Sequence, residues 1–505
     1  ARLRLQGEYA RRGHLYAAVD VEVERPQENP WAATVRLRVS EGPEVRAGRI
    51  LIQGNARTDP EVIEETLLFR EGGVVGSEAL AGSQQRLMRL GIFRTVAIRP
   101  LDPDVPEPVK DLVVDVRERP KRSLEIGGGL SIADGPRAFA EFTERNILGR
   151  NLEFGSRARV NYQIFREQVR EMPIERGLER YVDLGLRYPH VYGLPLDLGW
   201  RADLIHERDI RPAYEMTKFS ILTGVDWPGV GPLAAQLLFE LESNETMRSA
   251  QIAELYGALS RRDLEQLRFP EGETLLASVR PQLTLDLRDD PMSPQAGLFA
   301  RVESDFASSL LGDPVEFVKV AGTVTGYVPL ARRTSIALSI GGGRTFQLND
   351  ASETIWPKRF FLGGAGSVRG FTEDGLVPED RRAALRREIA DCRALVFGAG
   401  CSDAARFLQQ GQGVPSDGGD VYVLARGELR FPIQGNLMGG LFVDAGNLWL
   451  DPAAFDPTQL RTAAGFGLRY ATPVGPIALD LGFNLDRDEQ LNEEPMALHF
   501  SIGLF

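Results

Sequence analysis

Two kinds of hydrophobic pattern divide the chain near residue 120. Before that point helix and strand patterns alternate. Gln6–Arg12 reads as the end of a helix, and Val19–Val23 and Val35–Val39 alternate apolar with polar residues as half-buried strands do. A second unit follows. Arg49–Gln53 reads as a strand and Gly54-Asn55 as a turn. Thr58 or Asp59 is placed to cap a helix that begins at Pro60 and carries Val62, Ile63, Thr66 and Leu67. Another helix runs from about Glu78 to Leu90, where Gly91 stops it. Strands near Thr95–Arg99 and Leu112–Arg117 close the unit.

From about Ser123 the period becomes two. Ser156, Ala158, Val160, Tyr162 and Ile164 interleave with Arg157, Arg159, Asn161 and Gln163. Leu196, Leu198, Trp200, Ala202 and Leu204 repeat the pattern, as do Val279, Leu283, Leu285 and Leu287. One face is apolar and the other carries charge, as in a wall between lipid and a polar lumen. A soluble sandwich would keep its apolar face inside and its charge outside. The length of the runs decides: they last about 9–11 residues, the span of a tilted transmembrane strand. At roughly two dozen residues per strand and connection, the remaining chain makes about 16 strands, an even number as single-chain bacterial barrels prefer. The C-terminus reads as a closing strand, with Leu498, Phe500, Ile502 and Leu504 on one face and Phe505 at its end. The expected fold class is therefore mainly β. A transmembrane antiparallel barrel of about 16 strands over residues 121–505 follows α+β modules at 1–41 and 43–118.

Composition changes this picture little. Hydrophobic residues make up 43% of the 505 and aromatics 8%, which excludes disorder. The mean hydropathy of −0.19 is that of a water-soluble protein. No stretch approaches the roughly 18 apolar residues of a spanning helix, so a membrane protein of this composition must be a barrel. The net charge of −12, with arginines scattered at strand spacing, argues against nucleic acid as a partner. Ala1-Arg2-Leu3-Arg4 carries no export signal, and the chain reads as mature or truncated.

Cys392 and Cys401 share a loop-like segment and no histidine lies near them, which argues against zinc. A disulfide in an oxidising compartment is favoured over two free thiols. No metal or cofactor is expected. The absence of GxxxxGK[ST], GxSxG and HExxH motifs argues against nucleotide binding and against an enzyme.

The order β-α-α-β-β over residues 43–118, with Leu87, Leu90, Gly91, Ile92 and Phe93 ending the second helix, resembles a POTRA (polypeptide-transport-associated) domain. Residues 1–41 resemble the C-terminal part of a preceding copy. A generic α+β module is the alternative. Further on, the glycine-rich segment Arg359–Phe371 ends in Val368-Arg369-Gly370-Phe371. That tetrapeptide resembles the signature of the sixth extracellular loop in the outer-membrane assembly-factor superfamily, which includes BamA, TamA and the two-partner secretion translocators. Ala425–Pro432, Leu441–Trp449, Gly465–Tyr470 with Pro473–Ile477, and Asp286–Asp290 with Pro294 and Gly297 are similar to the family's strands. Arg145–Arg150 is similar to the start of its barrel.

This resemblance implies that the loop, around residues 345–418, folds back into the barrel and that Arg369 pairs with Asp444 and Glu428 on the inner wall. Glu428 is in register with Arg426 and Arg430, and Asp444 is opposite in parity to Leu441, Val443 and Ala445. A guanidinium suits the task because it binds carboxylates in bidentate fashion. The alternative is an arginine solvated in an external loop. The resemblance also implies a lateral gate. Its first strand, about Leu124–Ser131, contains Gly127, Gly128 and Gly129. Its last, about Leu498–Phe505, contains Phe500, Ile502 and Phe505. Glycines weaken cross-strand pairing, and an open edge is a template for another strand. The alternative is that they only relieve crowding.

The implied function is that of an assembly factor in the bacterial outer membrane with its N-terminal arm in the periplasm. Unfolded outer-membrane proteins would be received by the POTRA domains and inserted into the lipid. Chaperones, accessory lipoproteins or an inner-membrane protein would be its other partners. A two-partner secretion translocator and a passive porin are the alternatives. Within the loop, Ala383, Ala384, Leu385, Ile389 and Ala390 are spaced as on a short amphipathic helix, either an external lid or a decoration without mechanism.

Overall fold

The computed structural model describes the chain apart from residues 1, 25–32, 134, 163–176, 192–197, 230, 249–271, 292, 311–314, 351, 353, 395–402, 410, 412, 473–474 and 504–505. Sixteen antiparallel strands form a closed barrel, from Arg122–Ser131 to Met496–Gly503, which neighbour each other at the closure. Alternation is the physical reason for the barrel. On strand Tyr214–Trp227, Phe219 and Ile221 are exposed while Ser220 between them is fully buried. On strand Leu233–Arg248, Phe239 and Leu241 point outward, and Glu240, Glu242 and Asn244 are buried on the inner side. A slip of one residue would exchange the two sets and turn carboxylates toward hydrocarbon. Several strands exceed the expected 9–11 residues. Leu233–Arg248 and Glu316–Ala331 each reach 16.

The N-terminal unit follows the expected order. Strand Arg46–Gln53 is followed by helices Pro60–Thr66 and Ser77–Arg89, then by strands Phe93–Pro100 and Val109–Glu118. Val109–Glu118 is the central strand, parallel to the first and antiparallel to Phe93–Pro100. Ile63, Leu87, Phe93, Leu112 and Val114 are fully buried between helices and sheet. Gly91 ends the second helix with φ of 76°, a conformation in which a side chain would be strained. Ahead of this unit, helix Arg2–Arg11 precedes an antiparallel pair, Ala18–Glu24 and Thr34–Ser40.

Two local expectations need correction. Asp59 occupies the N-cap position of helix Pro60–Thr66, but no side chain caps it. The Thr58 hydroxyl instead donates to Glu118 Oε1 at 2.7 Å, a long-range charged acceptor that outcompetes the local cap. Arg145–Arg150 is not where the barrel begins. It spans the turn between strands Gly135–Ile147 and Leu152–Tyr162, where Asn146, Leu148, Gly149 and Asn151 all have positive φ. Asn146 Oδ1 accepts from Asn151 N at 2.9 Å and holds that turn.

Glu118 gathers three more hydrogen bonds, from Arg57 N, Thr58 N and Arg57 Nε, the last a charged one at 2.9 Å. Burial raises its pKa, yet the hydrogen bonds from Thr58 and Arg57 outweigh burial and hold the carboxyl below its usual range. A lowered folded-state pKa means stabilisation that is complete at neutral pH and is lost as pH falls below about 4.5. Glu118→Ala is expected to destabilise this unit by about 1–3 kcal/mol at pH 7. The difference from wild type should shrink in acid, as read by hydrogen exchange of strand Val109–Glu118.

The loop between strands Thr334–Gln347 and Val421–Gln434 holds two helices, Glu379–Ala394 and Asp403–Gln409. The first is the expected amphipathic helix. Leu385, Ile389 and Cys392 pack with Ala405, Leu408, Trp356, Tyr214 and Leu491. Arg386 Nε donates to Asp488 Oδ2 at 2.7 Å and Arg211 Nη1 to Asp374 Oδ2 at 3.0 Å, tying the helical cap to neighbouring loops. Cys401 lies outside the described residues, and with it the expected bridge to Cys392. Cys392 itself is buried in the cap, its Sγ 3.3 Å from Gln409 Nε2.

Candidate functional site

The segment that carries the arginine motif enters the barrel as a folded turn. Phe360 and Gly419 exchange backbone hydrogen bonds at 2.8 Å, and Leu376 N donates to Leu362 O at 3.0 Å. Between these pairings the chain reverses at Gly363 and Gly364, with φ of 117° and 91°. A methyl group on Gly363 would stand 2.3 Å from Thr372 O, so a side chain is excluded there by space as well as conformation. Ser367 Oγ accepts from Gly363 N at 2.7 Å and donates to Gly363 O at 2.9 Å, closing the turn. Val368, Arg369 and Phe371 are all buried.

Arg369 meets both expected carboxylates. Its Nε donates to Asp444 Oδ2 and its Nη2 to Asp444 Oδ1, each at 2.8 Å. The backbone N of Arg369 adds a third bond to Asp444 Oδ2 at 3.1 Å, and Nη1 donates to Glu428 Oε2 at 2.6 Å. Leu441 and Val443 are exposed on the outer face while Asp444 is 0% exposed, as the parity of that strand requires. The guanidinium carbon also stands 3.5 Å from the centroid of the Phe442 ring. A cation taken out of water is thus compensated by two carboxylates and an aromatic face.

Several contributors were not anticipated. Arg426 shares the inner face with Glu428 and donates to Gly366 O at 2.8 Å and Ala365 O at 3.1 Å. Phe442 has the parity of Asp444, a signal the alternation already contained. A second anchor holds the loop to other strands. Lys358 pairs with Glu242 and lies 3.4 Å from Asp305. Lys319 Nζ donates to Lys358 O at 2.7 Å. Glu242 is 116 residues away from Lys358, and no local pattern announces such a pair. Among the described residues no group of three or more His, Cys, Asp or Glu side chains could hold a metal ion.

Behind the motif the packing is tight. A methyl group on Gly482 would stand 2.0 Å from Arg369 O, and one on Gly370 would stand 2.6 Å from Ala463 Cβ. Gly482→Ala is therefore expected to push the turn off its seat at a cost of about 1–3 kcal/mol. Faster proteolysis between residues 363 and 371 is the expected readout.

The proposed gate strands meet over a short length. Among the described residues, Ser131 pairs with Ser501, Leu130 with Ile502 and Gly129 with Gly503, three residue pairs. The last two strands share seven, from Ile477↔Ile502 to Phe483↔Met496, and Tyr214–Trp227 shares fourteen with Leu233–Arg248. Phe500 joins the seam through its carbonyl, which accepts from Ile132 N at 3.0 Å. Leu124 and Ile126, on the first strand ahead of its described seam pairs, are 63% and 76% exposed.

Among the described residues, Gly129 is the one of the three glycines with a register partner across the seam. Gly127 lies under a neighbour, where a methyl group would stand 2.4 Å from Phe139 Cζ, and Gly128 faces Arg137 O. Crowding from the second strand accounts for Gly127. Phe505 lies outside the described residues.

Comparison with known proteins yields a consistent set of likenesses. The family profile described as the Omp85 superfamily domain matches residues 146–505, and that of the POTRA family, described as a surface antigen variable number repeat, matches 45–119. The outer membrane protein assembly factor BamA of Neorickettsia risticii (strain Illinois) is 22% identical over 479 residues, covering 93% of this chain and 56% of the relative. BamA of Neisseria meningitidis serogroup B is 21% identical over 540 residues, covering 99% and 61%. The chain thus spans somewhat more than half the length of these curated relatives. Among solved structures, BamA from Haemophilus ducreyi lacking POTRA domains 1–3 superposes with a TM-score of 0.72 at 18% identity, covering 99% of this chain and 92% of that one.

Proposed function

The chain belongs to the Omp85 superfamily, and from that membership we propose that it folds and inserts β-barrel proteins into the outer membrane through a lateral gate between its first and last strands. The barrel lies in the bacterial outer membrane with the POTRA domain N-terminal to it. The observation that carries the proposal is the seam, where three residue pairs join the first and last strands among the described residues, against seven between the last two strands. In a bilayer each unpaired backbone group costs several kcal/mol, so a short seam is the place where opening costs least. The opened edge offers N–H and C=O groups to an incoming strand, and the client repays the cost by pairing.

Neither a nucleotide nor a covalent step is required, and this is not an enzyme's chemistry. Hydrogen bonds are exchanged, and burial in lipid drives the client forward. The POTRA sheet receives unfolded clients, and chaperones, accessory lipoproteins or an inner-membrane partner supply them.

The test is reconstitution of the full chain in liposomes with a urea-unfolded outer-membrane protein. The expected result is a client that becomes folded and protease-protected in the bilayer at a rate several-fold above empty liposomes. Delivery of the client across the bilayer would favour a secretion translocator. Solute flux without client folding would favour a porin.

A further inference from the structure

The Arg369 turn touches more than the two strands that carry its carboxylates. Its guanidinium reaches strands Val421–Gln434 and Leu437–Trp449 through Glu428 and Asp444. Gly370 is pressed against Ala463 on strand Arg461–Thr472, and Arg461 of that strand places its guanidinium carbon 5.0 Å from the Phe371 ring centroid. The Arg369 carbonyl sits against Gly482 on strand Gly475–Asn484. The same carbonyl lies 3.0 Å from Nε2 of His499, on the last strand, Met496–Gly503. A carbonyl oxygen only accepts, so Nε2 carries the proton and donates.

One turn of chain therefore contacts five consecutive strands that end at the seam. His499 is next to Phe500, whose carbonyl bonds across the seam, and two residues from Ser501, the first described register partner there. We propose that His499 is a positioning residue through which the Arg369 turn holds the last strand in its closed register, so that the internal latch and the lateral seam open together. This rests on the reading of the seam as a gate. The lumen side supplies the reason for a side-chain bond here. Among the described residues the last strand has three pairs across the seam, against seven with its other neighbour, so that side is the less held of the two. A hydrogen bond from inside adds a restraint on that strand which is present only while the turn is seated.

The experiment reads hydrogen exchange of the amides at 497–501 in the full chain in liposomes, without client. Loop proteolysis is followed in parallel. His499→Ala is expected to speed exchange about five-fold, the effect of losing one hydrogen bond of ordinary strength. Proteolysis of the turn should rise by no more than the same factor, far less than in Arg369→Ala, because Asp444 and Glu428 remain. His499→Gln, which keeps an N–H donor at similar reach, is expected to restore protection. His499→Phe, which fills the space without donating, should behave as alanine does. Arg369→Ala should speed exchange at least as much, and the double variant no further, since both act through one contact.

Unchanged exchange in His499→Ala, protection by phenylalanine equal to that by glutamine, or additive effects in the double variant would each overturn the proposal. Because no client is present, failure here is separable from failure of the insertion reading. That reading fails instead if the wild-type chain inserts no client.

Discussion

Arg369→Ala is expected to free the loop from the inner wall and to abolish most client insertion. The side chain is 1% exposed and makes three of the four hydrogen bonds described above, and breaking one side of a buried ion pair typically costs about 3–5 kcal/mol. Converted to populations, that is a shift of roughly two to four orders of magnitude toward the released loop. Limited proteolysis in the segment 363–371 measures it directly. The carboxylates should rank by their share of the contacts. Asp444→Ala removes three hydrogen bonds, one of them from the backbone, and is expected to match Arg369→Ala. Glu428→Gln removes the charge behind a single bond to Arg369, and behind one to its strand neighbour Arg430, and should be milder. Arg369→Lys keeps the charge but not the planar fork, and should fall between them. Equal proteolysis and equal insertion in wild type and Arg369→Ala would remove the latch from the mechanism.

How much of this was legible beforehand depends on the range over which each feature is determined. The barrel strands were legible because inside and outside alternate with period two. Phe219, Ser220 and Ile221 report their faces by position alone. The POTRA helices were legible from Gly91 and from the spacing of Val62, Ile63 and Thr66. Asp444 and Glu428 needed more. Parity turned them inward, but only the resemblance of Val368–Phe371 to a known loop joined them to Arg369. Features made by chain segments far apart were not legible. Lys358 and Glu242 meet because the loop crosses the lumen, and nothing local marks either residue. Thr58 was misread as a cap because its actual partner, Glu118, lies 60 residues on. The glycine run was legible only in part. Three missing side chains suggested a weak edge or relief of crowding, and composition does not reveal that Gly127 makes room for Phe139.

Locking the seam is expected to stop insertion while leaving the barrel folded. Ser131 and Ser501 are register partners across the first and last strands. Directly opposed residues in an antiparallel pair have Cα atoms about 4.5–5.5 Å apart, within the range a disulfide bridges. In the double variant Ser131→Cys, Ser501→Cys, oxidation should reduce client insertion to the level of empty liposomes, and reductant should restore it. The control is a bridge of the same kind away from the seam. Thr325 and Ser339 are partners whose hydroxyls already touch at 2.9 Å, and their cysteine pair should leave insertion unchanged. The comparison isolates the gate because both bridges stiffen the wall, yet only one crosses the place where a client strand would have to enter. Insertion by the oxidised seam variant at the wild-type rate would mean that clients reach the membrane by another route, and the short seam would then be a matter of barrel closure alone.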